Sequence, residues 1–304
     1  MESSSEPGRT VSAARAHLDR GYRFEQAGTL ERALEAYGNA INAMPDAAEL
    51  AEARLRIARV YRSMAMWERS RAESREAVRI AEATGCMDLA AEAMNIEIGS
   101  LQMQGFFDEA DRLAQEALIR ATSPRVRGIT LQNLGRSAAE RREFEKSDGY
   151  FDASIEAFRM ASYEVGLAVA LANAARAALD RGDTARSLEI GREAIGIARR
   201  LNALDVLLTT VQNQAAAHVA TGDLDAAEAL LTEALGHFTT ARNPVRQAEC
   251  LEIMGQISET REDYGTAARC YGRARDLATS ANDLPLMERL TRKLATAERQ
   301  EGHA

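Results

Sequence analysis

In the segment LERALEAYGNAI, Leu30 to Ile41, apolar side chains recur at intervals of three and four residues. That period gathers them on one face of a helix and leaves Glu31, Arg32, Glu35 and Asn39 on the other. The same stripe recurs along the chain, broken by short turns at Gly28, Ala65, Gly105, Arg142, Gly182, Gly222 and Glu262. Each turn is followed within two residues by an apolar or β-branched anchor: Leu30, Trp67, Phe107, Phe144, Thr184, Leu224 or Tyr264. Three residues further on stands a small residue: Ala33, Ser70, Ala110, Ser147, Ser187, Ala227 or Ala267. The pattern predicts seven pairs of helices over residues 13–281. Small residues let the two helices of a pair approach closely, and Gly at a helix end adopts the left-handed conformation at little cost. The turns at Ala65, Arg142 and Glu262 lack that Gly.

One such pair cannot bury its own apolar face, so successive pairs must stack into a continuous core. The spacing between turns is 37, 40, 37, 40, 40 and 40 residues. The two short intervals contain Pro45 and Pro124, which stop the preceding helix early. The long ones pass through polar breaks at Gly85, Ser162, Asn202 and Asn243. Leu284 to Gln300 carries one apolar stripe and a charged outer face, as expected of a helix that caps such an array within residues 282–304. Residues 1–12 read as a disordered tail.

The stretch His17 to Pro45 resembles a tetratricopeptide repeat. Gly21 matches the small residue of the family's first helix, Phe24 follows it, Gly28 marks the turn, and Ala33, Tyr37, Ala40 and Pro45 match the second-helix positions. The forty-residue period is similar to the subclass found in kinesin light chains, cell-polarity scaffolds and bacterial peptide-sensing regulators. The resemblance implies an all-α fold, a right-handed α-solenoid of about seven helix hairpins plus a C-terminal capping helix. It also implies that the first helix of each hairpin faces a concave groove. Two residues before the small position stand Asn133, Asn173 and Asn213, forty residues apart; one residue after it stand Arg136, Arg176 and Ala216. In the subclass, an Asn row on the first helix holds bound peptides. A side-chain amide can pair with both the C=O and the N–H of an extended backbone, and Arg offers a planar fork to carboxylates. Arg59 and Arg62, with Arg56, add a basic stripe on an earlier first helix. The candidate peptide-binding residues are therefore Asn133, Arg136, Asn173, Arg176, Asn213, Arg59 and Arg62. The other repeats carry Asp19, Arg56, Glu97 and Ile253 at the Asn position, which confines an Asn row to the middle of the array.

Composition narrows the function further. Pro numbers only five and aromatic residues make up 5%, which fits a helical protein. A net charge of −8 argues against nucleic acid as the main partner. An RNA-binding helical repeat would have only the stripe of Arg56, Arg59 and Arg62 in its support. The three Cys, with no CxxC, fit a reducing cytoplasm, and no secretory or membrane-spanning segment is seen, so a cytoplasmic location away from membranes is expected. The four His form no metal-ligand spacing, His218 reads as a packed core residue, and no nucleotide-binding or hydrolase motif appears. Trp67 and Phe107 read as core anchors. The expectation is a non-enzymatic scaffold or adaptor without cofactor or metal, binding an extended or helical segment with acidic residues. The alternative is a peptide-sensing module acting on a separate effector.

Overall fold

The computed structural model describes residues 12–302. Of the tail expected at residues 1–12, residues 1–11 lie outside them. Ser12, assigned to that tail, opens the first helix instead: its Oγ accepts the Arg15 N–H at 2.9 Å and donates to Glu49 at 2.6 Å. The described residues form fifteen helices and no strand: α1 (Ala13–Gln26), α2 (Leu30–Asn42), α3 (Ala47–Ser63), α4 (Trp67–Ala83), α5 (Met87–Met103), α6 (Phe107–Arg120), α7 (Pro124–Glu140), α8 (Phe144–Met160), α9 (Glu164–Arg181), α10 (Thr184–Arg200), α11 (Leu204–Ala220), α12 (Leu224–Thr240), α13 (Pro244–Thr260), α14 (Tyr264–Ser280) and α15 (Leu284–Glu301). They are consecutive antiparallel helices, seven hairpins and a capping helix, as in a tetratricopeptide α-solenoid.

Each anchor read from the sequence is the first residue of a second helix, from Leu30 in α2 to Tyr264 in α14. All seven small residues three places on are fully buried. All seven turn residues have positive φ, including Ala65 (56°), Arg142 (60°) and Glu262 (60°). The hairpin geometry therefore imposes the left-handed conformation even where the sequence offers no Gly, at a cost of order 1–2 kcal/mol per residue. The short intervals arise as expected, since α2 has 13 residues and α6 has 14 while most other helices have 17.

The chain forms two compact units. Unit 1 comprises Met1–Arg141 with Glu156–Ala161; unit 2 comprises Arg142–Ile155 and Ser162–Ala304. Within unit 1, one buried cluster joins Leu18, Ala33, Tyr37, Ala53, Ile57 and Val60 of α1, α2 and α3. Within unit 2, Leu207, Val211, Leu231, Phe238 and Cys250 belong to a cluster running from α10 to α13, and Tyr271, Leu286 and Leu290 to one binding α15 to α13 and α14. Trp67 and Phe107 are half-buried rather than core. His218 is also half-buried, 3.8 Å from Asp223 in its own turn, not packed in a core.

Where Pro124 shortens the third hairpin, a side chain takes over the link to the next helix. Asp88, in the first turn of α5, accepts from the backbone N–H of Thr122 at 2.7 Å and of Ser123 at 3.0 Å. Burial alone would raise the Asp88 pKa, but these N–H groups outweigh it and hold the carboxyl below its usual range. A depressed folded-state pKa contributes stability that is present above the unfolded value near 3.9 and lost as pH falls through the folded one. Asp88→Ala is therefore expected to cost about 1–2 kcal/mol at neutral pH, for two lost hydrogen bonds. The difference from the parent chain should shrink in urea titrations carried out below about pH 4. A difference that stays constant from neutral to acid would refute the charge-assisted link.

Candidate protein-binding site

The first helices of the hairpins lie side by side within each unit. In unit 1, α3 contacts α1 and α5, and α5 contacts α7; in unit 2, α11 contacts α9 and α13. All seven candidate residues belong to these helices.

In unit 1 the structure brings Arg59 and Arg62 of α3 to the same neighbourhood as Arg136 of α7, all three half-buried. Arg62 lies against the bare backbone of α5, where a Cβ on Gly99 would stand 2.7 Å from its Nη1. Burial, then Arg59, then Arg136 pull the Arg62 pKa down to about 10, opposed by Glu25. Burial also lowers that of Arg136, against Glu140. Glu25 of α1 is shared: its Oε2 accepts the Tyr37 hydroxyl at 2.7 Å, and its Oε1 is 3.9 Å from Arg59 Nη1. Among the described residues, neither Arg62 nor Arg136 forms an ion pair. Arg56 stacks over the Tyr22 ring at 4.9 Å and pairs with Glu52 at 3.3 Å. Together these side chains make a cationic patch able to take an anionic group of a partner.

Asn133 does not behave as its register suggested. It is only 7% exposed, and its Nδ2 donates to Asn95 Oδ1 of α5 at 3.0 Å. Asn95 Nδ2 in turn donates to Thr130 Oγ1 at 2.8 Å, and Thr130 to the Val126 carbonyl at 3.1 Å. Gln102 of α5 adds bonds to the Asn133 carbonyl at 2.7 Å and to Ser137 Oγ at 2.8 Å. The amide donor is thus engaged between two first helices and does not face an open groove. Glu97, at the equivalent position of the third hairpin, is likewise buried and pairs sideways, with Arg75 at 2.7 Å.

In unit 2, Asn213 is 6% exposed. Its neighbour Gln214 donates to the Ser187 carbonyl of α10 at 2.7 Å. Asn173 on α9 is half-buried, and Arg176 is exposed but chelates Asp180, one helical turn on, through two contacts of 2.9 Å. A cleft of about 520 Å³, which the sequence reading did not identify, opens among α11, α13 and α15. Ala216, Val219 and Ala220 line one wall, and Ile253 and Ile257 the other. On its rim Glu252 accepts from Arg289 at 3.0 and 2.8 Å and pairs with Lys293 at 3.1 Å. The signal for this cleft was present in the sequence, where Ala216 replaces the Arg of the preceding repeats and Ile253 replaces their Asn.

No sequence-family model matches the chain, and no characterised protein matches it by sequence. Solved structures do resemble it. BtubC (BKLC) from P. vanneervenii superposes with a TM-score of 0.60 at 19% identity, over 73% of this chain and 91% of that one. A Rap protein in complex with Competence and Sporulation Factor gives 0.62 at 15% identity, over 99% and 78%. The apo quorum sensor NprR from B. thuringiensis gives 0.67 at 14% identity, over 87% and 76%. The chain has the tetratricopeptide-repeat fold. Among the described residues, no helix is long and apolar enough to cross a membrane, and no group of three or more His, Cys, Asp or Glu side chains is placed to hold a metal ion.

Proposed function

We propose that the chain is a non-catalytic protein-interaction module that binds a segment of a partner protein on its first helices. The carrying observation is the patch of Arg59, Arg62 and Arg136, in which, among the described residues, the Arg62 and Arg136 guanidinium groups form no ion pair. An acidic side chain of the segment pairs with this patch in unit 1. Unit 2, taken by itself, offers a partner an apolar contact in the cleft lined by Ala216, Val219, Ile253 and Ile257, and polar contacts at Asn173 and Arg176. Asn133 and Asn213 support the helices that carry these contacts. Ligation of Competence and Sporulation Factor by one structural neighbour, and the description of another as a quorum sensor, favour a second reading. In it the segment is a free peptide and the module acts on a separate effector.

The test is affinity recovery of partners with the parent chain, an Arg62→Gln/Arg136→Gln chain and an Asn133→Ala chain. A specific partner should be recovered about ten-fold less by the double Arg variant, as expected for loss of one charge-assisted contact. It should be retained by Asn133→Ala. Equal recovery by the parent and the double Arg variant would sink the assignment of the patch.

A further inference from the structure

Unit 1 places positive charge where its own packing does not require it. Elsewhere in the unit its half-buried arginines are matched to carboxylates, among them Arg54 to Glu73 at 2.8 Å, Arg56 to Glu52 at 3.3 Å, Arg120 to Glu82 at 2.6 Å and Arg141 to Asp111 at 2.5 Å. The chain has carboxylates in excess, 46 Asp and Glu against 38 Lys and Arg, so a shortage of partners does not explain the exception. At Arg59, Arg62 and Arg136, three half-buried cations come together against two carboxylates, Glu25 and Glu140; Glu25 already holds the Tyr37 hydroxyl, and Glu140 is exposed and forms no ion pair with Arg136. Gly99 is what lets Arg62 lie over α5, toward α7. Arg62 comes from α3, Arg136 from α7, and α5 runs between them. Any side chain at Gly99 would meet the Arg62 guanidinium, with Nη1 at 2.7 Å and Cζ at 3.7 Å from a Cβ.

We infer that Arg59, Arg62 and Arg136 form a receptor for a phosphate monoester on a side chain of the bound segment, seated beside the Arg62 guanidinium where it lies over α5 at Gly99. This rests on the segment-binding reading above and specifies the chemistry of its acidic group. A carboxylate carries one charge and two oxygens, and one guanidinium fork satisfies it. A phosphate monoester carries close to two charges and three acceptor oxygens, which suits guanidinium groups arriving from two helices. The Arg62 pKa is depressed first by burial and then by Arg59 and Arg136, so an anion seated there would relieve the second cause. Binding would thus depend on whether the partner has been phosphorylated.

The test uses the full chain and three probes: N-acetyl-phosphoserine amide, N-acetyl-aspartate amide and inorganic phosphate. Calorimetric titration at low ionic strength is expected to show the phosphoserine probe binding about ten-fold tighter than the aspartate probe. Arg62→Gln and Arg136→Gln should each weaken it about ten-fold, and Arg79→Gln, at an exposed position paired with Glu76 of its own helix, should leave it unchanged. Gly99→Ala should weaken it too, since the clash is with the far end of a flexible side chain and the fold can absorb it. Equal affinity for phosphoserine and aspartate overturns the proposal. So does tighter binding of inorganic phosphate than of the phosphoserine probe, or phosphoserine binding that survives both Arg substitutions. If the phosphoserine probe fails while partner recovery still falls in the double Arg variant, the segment reading stands and the phosphate assignment falls. If phosphoserine binds but partner recovery is unaffected, the segment reading falls.

Discussion

Gly21→Ala is expected to destabilise the first hairpin by about 1–3 kcal/mol, although Ala is intrinsically the better helix former. A Cβ at Gly21 would stand 2.4 and 2.5 Å from Cε1 and Cδ1 of Tyr37, well inside van der Waals contact. Tyr37 cannot retreat: it is fully buried, and its hydroxyl is tied to Glu25 at 2.7 Å. The same fit recurs in unit 2, where a Cβ at Gly255 would stand 2.5 Å from Cε1 of Tyr271, itself fully buried. Tyr37→Ala should cost more, about 3–5 kcal/mol, as for other buried aromatics truncated to Ala. Because the two residues touch, the double variant should cost clearly less than the sum. Stability in such arrays is carried by repeats and their nearest neighbours, so the loss should be concentrated in α1 and α2. Urea unfolding followed by circular dichroism gives the total, and amide hydrogen exchange shows where protection is lost. A Gly21→Ala chain as stable as the parent, or one equally impaired after Tyr37→Leu, would contradict this account of the contact.

The hairpins could be read from the sequence because each depends on short-range signals. Leu30, Trp67 and Tyr264 begin their helices as predicted, and Ala33, Ser70 and Ala267 are buried three places later. Even the turns at Ala65, Arg142 and Glu262 were legible, since the spacing marks the position whatever residue fills it. The site was less legible because it depends on helices some forty residues apart. The register put Asn133 two places before a small residue, but nothing local shows that Asn95 will stand opposite it. Glu97 at the equivalent position also turns sideways, toward Arg75, so in the third and fourth hairpins this position serves contacts between helices. Arg176 has a nearer competitor in Asp180, an i,i+4 pair visible in the sequence and worth only a few tenths of a kcal/mol. The reach of Arg62 across Gly99 needs the adjacency of α3 and α5, which no single segment encodes.

Asn133→Ala separates the two roles an amide in this register can have. With Nδ2 removed, Asn95 Oδ1 loses its donor in a buried setting, and an unsatisfied buried acceptor costs about 1–3 kcal/mol. Replacing both amides by Leu removes donor and acceptor together, so Asn95→Leu/Asn133→Leu should recover part of the loss, as apolar replacement of both partners can be nearly neutral. Thr130 would lose the Asn95 donor in that variant but keep its own bond to the Val126 carbonyl. Asn173→Ala, at a half-buried position, should change stability by no more than about 0.5 kcal/mol. Urea unfolding of the three variants ranks them, and partner recovery measured on the same preparations reads binding separately. If Asn133→Ala unfolds at the same urea concentration as Asn173→Ala while its partner is lost, then Asn133 reaches the bound segment and the bond to Asn95 is incidental. If stability falls and the partner is kept, the forty-residue interval between the amides reflects how each first helix packs on the one before it.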